Sequence, residues 1–311
     1  MGRPATRDAV LLTAYGGPER LDQVEAYYID IRRGAPPPPE LLRELLGRYA
    51  AIGGGSPLSA IVERQRSGLA GALAARGQPI AVYAGMKHIA PFIGDVVDRM
   101  AIDGIERAVG IALAPHASAA TSGTYRRAVE DRLAGLPRTL TCRFIDSWHA
   151  EPRFVSALAA ATTEALMRFP DPRRPHVVFT AHSLPQRLID AGDPYADEVA
   201  RTAALVADAL HLETYEVAYQ SAGRTADAWL GPDLLGRIRL LGEAGCREVV
   251  VCPVGFVADH LEVLYDIDIE AQAVAADSGV RLERVRALND DPMFIAGLAD
   301  LVERAFSAEV A

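Results

Sequence analysis

Apolar residues run along this chain in short blocks, separated by longer stretches in which they recur every three or four positions. The short blocks, rich in β-branched residues, are Ala9–Thr13, Ile80–Ala84, Ala108–Ala114, Leu140–Ile145, His176–Thr180, Tyr215–Ala218 and Glu248–Cys252. Consecutive apolar positions over that length predict strands buried on both faces. The amphipathic stretches predict helices over Leu41–Tyr49, Ser59–Ala75, Pro91–Met100, Glu151–Met167, Asp197–Ala209, Leu234–Leu241 and Pro292–Phe306. Pro36–Pro39 is a stiff loop whose last proline leads into a helix start at Glu40. Strand and helix alternate, which is the signature of an α/β fold with parallel sheets flanked by helices.

An internal echo divides the chain into two halves on one plan. Val10-Leu-Leu-Thr-Ala-Tyr-Gly-Gly-Pro18 and Val177-Val-Phe-Thr-Ala-His-Ser-Leu-Pro185 share a strand, Thr-Ala, a polar ring, two residues and proline. Ile111-Ala-Leu-Ala-Pro-His116 and Val250-Val-Cys-Pro-Val-Gly255 again put a proline just past a strand. Ligands of open α/β sheets lie beyond the carboxyl ends of the strands. Tyr15, His182 and the segments after Pro115 and Pro253 are therefore expected to face one cleft.

Charge sharpens this picture at Val257-Ala-Asp-His-Leu-Glu-Val-Leu-Tyr-Asp-Ile-Asp-Ile-Glu270. In a helix Glu262, Asp266 and Glu270 stack at i, i+4 and i+8, and like charges at that spacing repel by about 0.2–0.5 kcal/mol per pair. A solvated helix face is the usual fate of such charge. Here the segment follows a strand directly, so its first turns sit at the cleft with Glu262 innermost. Oxygen ligands on successive turns form a ladder for a hydrated divalent cation, which would offset the repulsion. His182, at a strand end, can take a proton near neutral pH or offer a lone pair to a metal. Together they are too few ligands for a permanent zinc site, which suggests a metal passing through.

Composition excludes several classes. With 311 residues, half of them hydrophobic, the chain can bury a large core. Lys plus Arg number 32 against 41 Asp plus Glu, a formal net charge of −9 that disfavours nucleic acid. No apolar run reaches membrane-span length, and the first residues, with Arg3, Arg7 and Asp8, lack a signal-peptide core, so a cytoplasmic protein is expected. Cys142, Cys246 and Cys252 form no CxxC pair and read as buried small hydrophobes. Positive charge gathers in the first third, at Ile29-Asp-Ile-Arg-Arg-Gly34, at Arg48-Tyr49 and beside the loop Ile52-Gly-Gly-Gly-Ser-Pro57. Guanidinium matches carboxylate bidentately, so this group fits a carboxylated ligand. The glycine loop lacks the spacing of a dinucleotide or phosphate-binding loop. Lys87, His88, His116 and Tyr125 are further polar groups at predicted strand ends.

Over nearly its whole length the sequence resembles the ferrochelatases. The resemblance rests on Leu12-Thr-Ala-Tyr-Gly-Gly-Pro18, Asp30-Ile-Arg-Arg-Gly34, Arg48-Tyr-Ala-Ala-Ile-Gly-Gly-Gly-Ser-Pro-Leu58, Ala181-His-Ser-Leu-Pro185, Gly192-Asp-Pro-Tyr195, Trp229-Leu-Gly-Pro-Asp233 and, most specifically, Pro253-Val-Gly-Phe-Val-Ala-Asp-His-Leu-Glu-Val-Leu-Tyr-Asp266. It implies two Rossmann-like domains around a porphyrin cleft, residues 1–117 with a C-terminal helix near 290–308 and residues 118–289. It implies insertion of Fe²⁺, a substrate rather than a bound cofactor, by His182 and Glu262. Asp266 and Glu270 then line an outer metal position on a locally π-wound helix. The soluble coproporphyrin III ferrochelatases are most similar, with Tyr15 near the iron and Arg32, Arg48, Ser56 and Tyr125 on the propionates. Protoporphyrin IX ferrochelatase and a non-catalytic porphyrin or haem carrier are the alternatives. The [2Fe–2S] cluster of some members is not expected, because no cysteine follows Cys252. A monomer is expected, with at most transient contact with the next enzyme of haem synthesis.

Overall fold

In a computed structural model, residues 7–137, 140–223 and 225–308 are described; residues 1–6, Arg3 among them, lie outside the described residues. Eight strands form two parallel sheets of four. The first comprises β1 (Asp8–Ala14), β2 (Ala81–Met86), β3 (Arg107–Ala112) and β4 (Thr141–Ile145) in the order β2-β1-β3-β4. The second comprises β5 (His176–His182), β6 (Tyr215–Gln220), β7 (Glu248–Cys252) and β8 (Arg281–Arg284) in the order β6-β5-β7-β8. The two orders are the same, so the halves share one topology, as the echo between β1 and β5 predicts.

Each sheet divides its side chains between two cores. Along β1, Val10 and Leu12 point into a layer shared by both halves, whereas Ala9 and Leu11 point into an outer core with Ile93, Val97 and Met100. On β5, Val177, Phe179 and Ala181 enter the shared layer while Val178 meets Ile238, Ile267 and Ala271 on the far side. This period of two is why the central strands read as continuous apolar runs. Helices Pro152–Leu166 and Pro292–Ser307 contribute to the shared layer through Phe154, Leu158, Phe294 and Leu298. Both start on an acidic cap followed by proline: the Glu151 carboxylate accepts from Phe154 N at 2.7 Å, and that of Asp291 from Met293 N at 2.9 Å. A capping carboxylate satisfies a free N–H, and the proline lacks one to satisfy.

Three expectations are corrected. β4 pairs with β3 through Ala108 and Cys142, so the first sheet continues past residue 117, where the domain boundary was expected. The strand extends the unit because parallel pairing with β3 completes the sheet's edge. β8 was not anticipated: Arg281–Arg284 is short and polar, with only Leu282 buried, as suits an edge strand. The segment from Pro253 to His260 is not helical, and the first helical turn begins at Leu261. None of the described helices is long and apolar enough to cross a membrane.

Candidate active site

The carboxyl ends of β1, β3, β5 and β7 converge on a cavity of about 350 Å³. Tyr15, Ser56, Tyr125, His182 and Glu262 all line it, so five of the expected site residues, far apart in sequence, meet here.

Close backbone approach builds the walls. A Cβ on Gly17 would sit 2.9 Å from both Cβ and Oγ of Ser56, so only glycine admits that serine. Ser56 N donates to Pro18 O at 2.7 Å, tying the glycine loop to the end of β1. A Cβ on Gly255 would lie 2.6 Å from the Ala181 Cβ. Without one, Gly255 N reaches Thr180 O at 3.1 Å, and the chain after β7 is laid against the end of β5 beside His182.

His182 is half-buried, and its Nδ1 faces the Ser183 carbonyl at 2.5 Å. A carbonyl only accepts, so Nδ1 is a donor, and in the neutral ring the lone pair then falls on Nε2. Tyr195 Oη donates to the His182 carbonyl at 3.0 Å and holds the backbone beneath the ring. Glu262 lies on the facing segment, where its carbonyl accepts from Gln220 Nε2 at 2.6 Å. Its Oε2 is 3.2 Å from Nε2 of His260, a cavity residue sequence reasoning missed. His260 Nδ1 donates to Ala258 O at 2.8 Å. The other ring nitrogen thus stands beside the Glu262 carboxylate, so an imidazole and a carboxylate are neighbours at the cavity wall. His260 is the extended residue just before the turn that starts at Leu261, so it does not follow the helical spacing of the residues after it.

Beyond Glu262 the chain is π-wound from Asp266 to Ala271, as the resemblance implies. Asp266 is buried and accepts from Ser221 Oγ. Its pKa is pushed up to about 7 by burial, against the Ser221 hydrogen bond and with the Glu262 charge adding to the rise. Arg48 lies beside this ladder rather than on the cavity wall. Its guanidinium is 3.6 Å from Asp266, 3.8 Å from Glu270 and 3.1 Å from Glu44, and lies 5.0 Å over the Tyr265 ring. Part of the acidic repulsion is thus relieved by an arginine of the chain. Arg32 is exposed at the end of helix Val24–Ile31, 5.9 Å over the Tyr28 ring, and does not line the cavity either. Among the described residues, no cluster of three or more His, Cys, Asp or Glu side chains is arranged to hold a metal ion.

The first lobe brings phenols. Tyr27 packs edge-on against Tyr15 and Tyr49, and its Oη donates to Gly16 O at 3.3 Å. Burial, then the Glu262 charge, pushes the pKa of Tyr15 and Tyr49 up, so both phenols stay protonated. Tyr27 and Tyr49 were missed because an amphipathic helix turns its aromatic residues to a core and to a ligand alike. Lys87 donates to Thr124 Oγ1 at 2.9 Å, and its pKa is pushed down by burial and by the neighbouring Arg127 and Arg33. His88 Nδ1 is 2.7 Å from Asp30 Oδ2, and its ring centroid lies 4.5 Å from that of Tyr15.

Residues 7–306 match the family model described as Ferrochelatase. The chain belongs to the ferrochelatase family. It is 45% identical to a protein of Thermus thermophilus named ferrochelatase, over 96% of this chain and 99% of that one. It is 43% identical to a protein of Geobacillus kaustophilus named coproporphyrin III ferrochelatase, over 96% of each. The fold is similar to that of the sirohydrochlorin chelatase SirB of Bacillus subtilis in complex with cobalt, with a TM-score of 0.54 at 13% identity over 96% of this chain and 93% of that one. As in that family, the chain is an α/β protein with two Rossmann-like halves.

Proposed function

We propose that this chain inserts ferrous iron into coproporphyrin III, with His182 as proton acceptor and Glu262 as the group that receives the cation and relays a proton. The observation that carries the reading is the contact of His182 Nδ1 with the Ser183 carbonyl, which makes Nε2 the acceptor of the neutral ring, in a cavity that Glu262 also lines. Two N–H bonds of the macrocycle break and four Fe–N bonds form, so two protons must leave as one dication enters. One goes to His182 Nε2 and one toward Glu262, beside which His260 stands. Glu262 leads on to Asp266 and Glu270, an acidic path for the incoming ion. The mainly apolar cavity suits a flat ring held by contacts at its edges.

Substrate choice rests on the cations beside Tyr15. Lys87 Nζ lies 5.9 Å over the ring of Tyr15, a cavity residue, and Arg127 and Arg33 are near enough to disfavour its ammonium, a cationic group in a chain of net charge −9. Four carboxylates use such a group better than two. The Geobacillus kaustophilus relative carries the same substrate in its name. Anaerobic Fe²⁺ insertion, followed by absorbance with coproporphyrin III and protoporphyrin IX offered separately, tests the reading. Faster turnover of coproporphyrin III is expected. Preference for protoporphyrin IX would reassign the substrate, and tight binding without turnover of either would make the protein a carrier.

A further inference from the structure

His116 is fully buried, comes from the first lobe just past β3, and lines the same cavity as His182. Its Nε2 lies 2.9 Å from Thr202 Oγ1. Thr202 has one hydroxyl proton and two carbonyls to give it to, Glu198 O and His149 O, each at 3.1 Å. Its lone pairs are left to accept, so Nε2 of His116 is the protonated nitrogen and Nδ1 is a bare lone pair. That Nδ1 is buried without a hydrogen-bond partner. Burial and the nearby His149 push the His116 pKa down to about 3, so the ring is neutral at working pH.

Thr202 lies on helix Tyr195–Leu210 of the second lobe, and the His116 ring stands edge-on to Tyr195 at its start, with centroids 5.9 Å apart. Tyr195 is the residue whose hydroxyl holds the His182 carbonyl. The first-lobe loop grips this helix start elsewhere too: Ala117 N donates to Glu198 at 2.6 Å, and Ala119 N and Ser118 Oγ donate to Asp193 at 2.8 and 2.9 Å. These ties from loop 116–119 all fall between Asp193 and Thr202, on the segment that supports His182.

We propose that His116 is a positioning residue, a strut by which the first lobe sets the place of the His182 imidazole through Thr202 and Tyr195. The proposal rests on the reading of His182 as proton acceptor. A displaced base loses rate without losing ligand, because misplacement by about 1 Å costs on the order of 10²-fold in rate.

The test is anaerobic Fe²⁺ insertion into coproporphyrin III by the full chain, with porphyrin affinity measured by fluorescence quenching. His116→Phe keeps the ring against Tyr195 but removes the N–H. It is expected to lower kcat about 10- to 100-fold with porphyrin Kd within about two-fold. His116→Gln, which restores an N–H near Nε2, is expected to recover most of the rate. Tyr195→Phe removes one oxygen and is expected to show the same loss, which keeps the test decisive if His116→Phe does not fold. The double variant is expected to be no slower than the slower single one, because both break one strut. Wild-type kcat in His116→Phe or Tyr195→Phe, multiplied losses in the double variant, or equal losses of kcat and affinity would overturn the strut. Run beside them, an inactive His182→Ala leaves any such failure with the strut alone, whereas an active His182→Ala overturns the reading of His182 and the strut with it.

Discussion

The two halves have the same strand order and differ in what they place at the strand ends. β1 runs into Tyr15-Gly-Gly, and its lobe adds Tyr27, Tyr49, Tyr125, Ser56 and the cation Lys87. β5 runs into His182, and the chain after β7 adds His260, Glu262 and Asp266. On the proposed reading, the phenols, the hydroxyl and the ammonium hold a ligand, while the imidazoles and carboxylates move protons and cations. One scaffold used twice then separates substrate binding from proton and metal handling, with the difference concentrated at and just past the carboxyl ends of the strands.

That division predicts opposite kinetic signatures on the two sides. The largest effect belongs to the second lobe: His182→Ala should lose about 10³-fold in iron insertion, with porphyrin Kd little changed in a quenching titration. Gly255→Ala should come next. Its methyl meets Ala181, an overpacking cost of about 1–3 kcal/mol, and shifts the Glu262 segment away from β5. A kcat down about ten-fold and a lower melting temperature are expected, whereas a wild-type rate would show that the close approach does not set the site. On the first lobe, Tyr125→Phe removes one buried hydroxyl. It should weaken coproporphyrin III binding by about two- to ten-fold, the worth of one hydrogen bond, with kcat unchanged. A kcat loss without a Kd loss would erase the contrast.

The smallest effect is one of pH. The Asp266 pKa is raised on folding, so its contribution to stability is full below the unfolded carboxyl value and is lost as pH rises through about 7. Asp266→Asn removes the buried charge. In melting scans without added metal, the variant should gain a few degrees over wild type at pH 8 and little or nothing at pH 5. An equal shift at both values would mean that Asp266 is not protonated in the acid range.

How much of this was legible in the sequence depended on the kind of residue. The central strands announced themselves because burial on both faces forces consecutive apolar residues, and the echo through Tyr15 and His182 survived because both stand at equivalent strand ends. β8 was hidden because an edge strand with one buried residue, Leu282, has no pattern to read. Arg48 was assigned by composition to a carboxylated ligand; its distances show a guanidinium drawn instead to Asp266 and Glu270 of its own chain. His260 was passed over because a helical reading from Val257 turns it away from Glu262, whereas the residue before Leu261 is extended. His116 was noticed as a polar group at a strand end, but its partners Thr202 and Tyr195 are long-range in sequence and no spacing connects them.

Chemical rescue shows whether the His182 imidazole takes a pyrrole proton. Single-turnover Fe²⁺ insertion into coproporphyrin III is followed by absorbance for His182→Ala, with and without added imidazole. A nearly inactive variant is expected, whose rate rises saturably with imidazole while porphyrin affinity stays constant. A variant that inserts iron at the wild-type rate without imidazole would contradict that role of His182.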